Sequence, residues 1–268
     1  MSGIHFFQSA LNSYNPPSAG PGPGPSLWTP ADITTETWLD ASDASTVTLV
    51  GGRVTQWDDK SGNARNATGG NGVQYIESDV NGLNVVNMAG SSADWMFLDL
   101  NWMAGTKYSI TALVTRNDGG GNYFTGRQAG ATNGLFHIGW DNSSTFRLSH
   151  FGIGNDFNLS VPAFTTEQLT LFSGKSRTEG KELRYFDPAG FYTATNGDTL
   201  DLASENDATL GNFGNGIWYG GKVCEFVMTA NEISDEDLYK IEGYLAWKWG
   251  QEALLPVDHP YHSAAPAI

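Results

Sequence analysis

The chain has 268 residues, enough for one large β domain with an extra segment or for two small domains. Its 29 acidic and 14 basic residues give a net charge of −15. That argues against a nucleic-acid partner held by clustered Lys and Arg, and against adhesion to an anionic membrane by charge.

Residues 1–32 differ from the rest. Ile4, Phe6, Phe7 and Leu11 form a short apolar cluster, followed by NPPSAGPGPGPS, whose Pro and Gly block helix and sheet alike. The expectation is an extended anchoring arm, an apolar peptide on a Pro/Gly spacer that docks on a neighbouring protein; a disordered leader is the alternative. The opening MSGIHFFQSALN lacks the basic lead, apolar run and cleavage site of a secretory signal, so a product made in the cytoplasm is expected. No segment approaches the length of a transmembrane helix, and membrane insertion is not expected.

The domain is expected over 33–268. TWLDASD gives a strand and a turn, and TVTLVGGRVTQW a hairpin turning at Gly51 and Gly52. In the following DDKSGNARNAT, Asp58, Asp59 and Asn63 are oxygen donors. An EF-hand spacing is absent, so a tight turn is expected rather than a calcium loop, and no cofactor or metal site is assigned. VQYI, LNVVNM and WMFLDL are further strands. In KYSITALVTR, Tyr108, Ile110, Ala112 and Val114 share one face, as in a central strand. A glycine-rich connection leads to GLFHIGW, TFRLSHF, EQLTLFSGK and KELRYFD, and KVCEFVMT closes the series with Cys224, Phe226 and Met228 on one face. Cys224 is the single cysteine, which leaves no disulfide framework and is expected to be a buried thiol.

One long helix follows, expected over 235–249. Ser234 caps it with Asp237 three residues on, Asp235 and Glu236 favour its start, and Lys248 and Gly250 its end. Leu238, Ile241, Leu245 and Trp249 form its apolar face, widened by Tyr244 and Trp247. Many short strands with Gly-rich turns and one late helix point to two packed antiparallel sheets with the helix and a docked tail laid against them.

The run KIEGYLAWKWG, then LLP, HPY and SAAP, resembles the C-terminal signature of concanavalin A-like (laminin-G-like) jelly-roll domains. LWTPADITTETWLDASDASTVTL from Leu27 and VTQWDDKSGNARNAT from Val54 resemble the start of the same domain, so the likeness covers Leu27 to Pro266. It implies an all-β concanavalin A-like sandwich with a C-terminal α-helix. Such domains are common in bacteriophage structural proteins and large bacterial surface proteins. The implied role is a non-enzymatic virion component, a capsid decoration or head or tail fibre protein. It would be oligomeric, joined to other virion proteins through the arm, and able to attach to a host-surface glycan. A dedicated carbohydrate-binding module or surface adhesin is the alternative, and a glycoside hydrolase a third.

Catalytic signatures are missing. The Glu-x-Asp-x-x-Glu strand of concanavalin-like glucanases does not occur; Glu77 and Asp79 are the nearest pair. Neither a nucleophile elbow, a zinc helix nor a phosphate loop is present. His259 and His262 lie in the tail and are expected to pack there, whereas His137 and His150, in adjacent strands, are candidates to face each other. Aromatics remain. Tyr123 with Arg127, Trp140 with Asp141 and Asn142, and Trp218 with Tyr219 are placed in loops, where a sugar ring could stack and its hydroxyls be fixed. Core or subunit-contact roles are the competing reading for each.

Overall fold

A computed structural model describes residues 27–70, 72–126, 134–150, 156–203, 208–214 and 216–268. Ile4, Phe6, Phe7, Leu11 and Arg127 lie outside these.

Strands dominate: β1 (Thr37–Asp40), β2 (Val47–Val50), β3 (Arg53–Trp57), β4 (Ala67–Thr68), β5 (Gln74–Val80), β6 (Leu83–Ala89), β7 (Met96–Leu98), β8 (Tyr108–Thr115), β9 (Asn122–Gly126), β10 (His137–Asn142), β11 (Thr145–Ser149), β12 (Asp156–Ser160), β13 (Leu169–Arg177), β14 (Gly180–Asp187), β15 (Gly190–Asn196), β16 (Ala208–Leu210), β17 (Asn212–Gly214), β18 (Ile217–Trp218) and β19 (Gly220–Ala230). One α-helix, α1 (Asp235–Lys248), follows. The strands make two antiparallel sheets. The back sheet has the order β15-β14-β13-β8-β19-β6-β5, with β1 also on β19; the front sheet runs β12-β11-β10-β9-β16-β7-β4-β3-β2. β17 and β18 form a separate small ribbon. This is the two-sheet sandwich expected from the spacing of strands and turns.

Period-two alternation decides what enters the core. In β8, Tyr108, Ile110, Ala112 and Val114 all enter the cluster between the sheets, where they meet Phe124, Phe146, Phe172 and Phe226. Leu113, on the opposite face of the back sheet, joins a second cluster with Trp38, Val227, Ile241, Leu245 and Trp249. The molecule therefore has three layers: front sheet, back sheet and helix.

β19 departs from the expected alternation. Phe226 and Met228 enter the inter-sheet core, but Cys224 joins the helix-side cluster. The cause is a bulge in the β19–β8 ladder between Val223 and Glu225, which shifts the faces by one residue. Cys224 is fully buried, and burial raises its thiol pKa well above the ordinary value.

Ser234 caps α1, its hydroxyl accepting from the Asp237 N–H at 3.1 Å and donating to the Asp237 carboxylate at 2.8 Å. Past Lys248 the Gly250 N–H bonds the Trp247 carbonyl, and the Gln251 N–H the Ala246 carbonyl. Leu238, Ile241, Leu245 and Trp249 are buried as expected. The tail returns along the helix. A Cβ on Gly243 would lie 2.6 Å from the Tyr261 Cβ, so only glycine lets the tail approach this closely. At its end Leu27 bridges Ala267, and the Trp28 N–H bonds the Pro266 carbonyl at 3.1 Å. Trp28, assigned from sequence to the arm, is buried in the helix-side cluster.

The helix layer also encloses two carboxylates. Glu225 accepts from Trp38 Nε1 (2.7 Å), Trp249 Nε1 (2.9 Å), the Tyr244 hydroxyl (3.0 Å) and Lys248 Nζ (2.6 Å). Glu242, on α1, accepts from Arg184 through both Nε (2.8 Å) and Nη2 (3.1 Å) and from the Ser173 hydroxyl (2.8 Å), and meets His259 Nε2 at 3.1 Å. Both are completely buried.

Candidate functional site

Front-sheet residues that alternate with core residues form an outer face. Phe146 and Leu148 point inward from β11, and Phe157 and Leu159 from β12, which leaves Arg147 and Asn158 outside. The registers place Tyr123 opposite Gly139, Gly139 opposite Arg147, and Arg147 opposite Asn158, so these four form one row across β9 to β12. Gly139 permits the row: a Cβ there would sit 2.5 Å from the Tyr123 Cα. With no side chain between them, Tyr123 and Arg147 meet across β10. Alternation along β10 then keeps Trp140 inward and sends Asp141 outward into the same group, just where the register shifts between Trp140 and Asn142.

The Tyr123 hydroxyl donates to Asp141 Oδ1 at 2.8 Å. Arg147 Nη1 lies 2.9 Å from Asp141 Oδ1, 3.3 Å from Asp156 Oδ2 and 3.3 Å from the Tyr123 oxygen, while its Nε donates to Asn158 Oδ1 at 2.8 Å. The Ser149 hydroxyl bonds the other Asp156 oxygen. Burial raises the Tyr123 phenol, with Arg147 opposing and Asp141 adding to the rise, so it stays a proton donor near neutrality. Asp156 and Asn158 are exposed and Arg147 is 18 % exposed. Tyr123 and Ser149 are buried, so the cluster offers a partly exposed guanidinium, two carboxylates and an amide at the surface, held from below by two hydroxyls. Such a mixture of donors and acceptors suits a polyhydroxylated ligand.

Of the seven glycan candidates, Tyr123 and Asp141 come together here, and Asn142 is beside them at the exposed turn, accepting the Ser144 N–H at 3.0 Å. Trp140 and Tyr219 do not belong to a rim. Trp140 is a core residue whose Nε1 bonds the Tyr185 hydroxyl at 3.2 Å, and Tyr219 is fully buried with its hydroxyl against the Thr115 and Lys222 carbonyls. Both stand on or beside strands, and so does Tyr123, which is 3 % exposed on β9 with the Phe213 ring 4.3 Å away. None of the three presents a ring to solvent, and Tyr123 contributes only its hydroxyl, bonded to Asp141. Trp218 is half-buried in β18. Arg147, Asp156 and Asn158 were missed, although the alternation of TFRLSHF already placed Arg147 opposite the apolar residues.

His137 and His150 do not face each other. His137 packs on Tyr123 and Phe213 on the outer face, while His150 Nε2 meets the Tyr108 hydroxyl at 2.8 Å on the inner one. Burial, the leading cause for both, lowers each to about 3. His259 and His262 pack in the tail, His262 Nδ1 lying 2.8 Å from the Leu255 carbonyl. The Asp58–Asn63 stretch is a turn. Asp59 accepts from the backbone of Trp38, Ser61 and Arg65, and Asn63 donates to the Thr35 carbonyl. Glu77 is exposed on β5, and Asp79 pairs with Lys222 at 2.9 Å. Among the described residues no group of three or more His, Cys, Asp or Glu converges as metal ligands, and no helix is long and apolar enough to cross a membrane.

No family model and no curated protein sequence matches the chain. Solved structures share its fold. The binding domain of Paraclostridial Mosquitocidal Protein 1 superposes with a TM-score of 0.55 at 8 % identity, over 78 % of this chain and 52 % of that one. Domain 4 of AbnA, a GH43 extracellular arabinanase from Geobacillus stearothermophilus solved in complex with arabinotriose, gives 0.55 at 13 % identity, over 78 % and 98 %. Trypanosoma rangeli sialidase in complex with the inhibitor DANA gives 0.52 at 13 %, over 78 % and 35 %. The chain thus spans about half of the toxin domain, a third of the sialidase and nearly all of the arabinanase domain.

Proposed function

We propose that this chain is a non-enzymatic, lectin-like sandwich that holds a glycan on the outer face of its front sheet. The observation that carries the reading is the Tyr123–Gly139–Arg147–Asn158 row, which gathers Asp141 and Asp156 around one accessible guanidinium. The arabinanase domain solved with arabinotriose, which this chain matches over nearly that domain's whole length, supports a carbohydrate ligand. The resemblance to phage structural proteins supports the finer reading: a decoration or fibre component, oligomeric on its particle, joined to it through residues 1–26 and displaying this face to the host surface.

Hydrolysis is the second reading, because hydrolases are among the fold's neighbours. It requires two carboxylates that open onto one cleft. Glu225 and Glu242 are sealed between α1 and the back sheet, and Asp141 and Asp156 are both engaged by Arg147, which favours binding over bond cleavage. A glycan array probed with the full chain tests the proposal. Binding to a defined set of glycans, lost in Arg147→Ala without reducing-sugar release from the bound polysaccharide, is the expected result. Release that survives purification would establish the second reading instead.

A further inference from the structure

A second patch lies on the same outer face, beyond the Arg147 cluster. Met96 and Leu98 of β7 point into the core, so Phe97 between them points out and is 48 % exposed. The registers set it between Thr209 of β16 and Thr68 of β4. Trp95 holds its ring edge-on at 4.7 Å and 85°. Around the exposed ring is a shallow depression of about 290 Å³ lined by Asn66, Thr68 and Asp99. The Asn66 carbonyl oxygen is engaged by the Asp59 N–H at 2.9 Å, which leaves its amide hydrogens to donate. Behind Asp99, Arg65 lies 3.9 Å from its carboxylate and over the Trp102 ring. Arg65 Nε and Trp102 Nε1 are buried donors with no protein acceptor.

We propose that Phe97 is the stacking platform of a second carbohydrate subsite, taking the C–H face of one sugar ring while Asn66, Thr68 and Asp99 bond its hydroxyls. An aromatic plane braced from the side, open on top and edged by both donors and acceptors, matches the amphipathic faces of a sugar ring. A protein partner fits less well, because one ring in so small a depression is not the apolar patch that a protein interface needs. Phe97 on β7 lies two strands beyond Tyr123 on β9, and Phe213 of β17 packs at 4.3 Å on Tyr123, so the two act as separate subsites. The inference rests on the glycan-binding reading above.

The test is the same array read with three chains: wild type, Phe97→Ala and Phe97→Trp. Both substitutions fall at a half-exposed position and leave the core intact. For glycans that the wild type binds, Phe97→Ala should weaken binding about five- to tenfold, and Phe97→Trp should keep or raise it. Wild-type binding unchanged in Phe97→Ala overturns the subsite and spares the functional reading, provided Arg147→Ala still abolishes binding. No binding by the wild type overturns both.

Discussion

Glu225 is the buried carboxylate on which the helix layer turns. Burial holds its carboxyl above the usual range, with Asp40 adding to the rise and Lys248 opposing it. Four donors meet there, and a glutamine amide offers a single acceptor oxygen. Glu225→Gln should therefore strand at least one indole N–H or the tyrosine hydroxyl and destabilise the fold by about 3 kcal/mol in urea titration; a change below about 1 kcal/mol would contradict the network. Asp40 behaves oppositely: burial resists its ionisation, but Lys248 and Lys60 outweigh that and hold it below its usual range. The strongest pH signature belongs to His137 and His150. Each is held near 3 in the folded chain, against about 6.5 unfolded. The unfolded chain then binds the extra proton, so their contribution is full above about pH 6.5 and falls as the pH drops toward 3. Between pH 8 and pH 5 the loss should be roughly 2 kcal/mol per histidine, partly offset by Glu225. His137→Gln and His150→Gln should each flatten that slope. The residue scale was also the hardest to read from sequence. Tyr123, Trp140 and Tyr219 are all expected in loops, and the structure buries all three on or beside strands. Glycines near them, Gly139 and Gly221, serve close strand packing.

At the scale of elements, α1 was the most legible part of the chain, because cap, dipole charges, apolar stripe and stop all agree on one span. Cys224 shows what such consistency misses. Alternation over KVCEFVMT gives one register, and a single bulged residue reverses it for half the strand. Nothing in the local residue types marks that bulge. Gly243 provides a test of the helix–tail contact. Gly→Ala inside a helix ordinarily stabilises by about 1 kcal/mol. Here the added carbon meets Tyr261, so Gly243→Ala should instead destabilise by about 1–3 kcal/mol; a gain in the unfolding midpoint would show the tail to be loosely docked. The buried Cys224 thiol should in turn resist labelling until the whole fold opens, with a modification rate that tracks global unfolding in denaturant.

For the whole molecule, the all-β sandwich with one late helix follows from strand spacing, and the order of strands in the two sheets does not, since pairing is decided by contacts far apart in sequence. The outer face of the front sheet is a product of that pairing. Thr68, Phe97, Thr209, Gly126, His137, Ser149 and Asp156 stand in register across seven strands although they are scattered through the chain. Deleting residues 1–26 should leave the sandwich's unfolding midpoint unchanged while abolishing incorporation into a particle, if those residues are its anchor. The outer face gives the most direct test of the account: amide and side-chain NMR shifts of the full chain titrated with a glycan that it binds on the array. The account predicts shifts confined to the front sheet, strongest at Arg147, Asn158, Asp141 and Phe97. Shifts centred on α1 and the back sheet, with the front sheet silent, would contradict it.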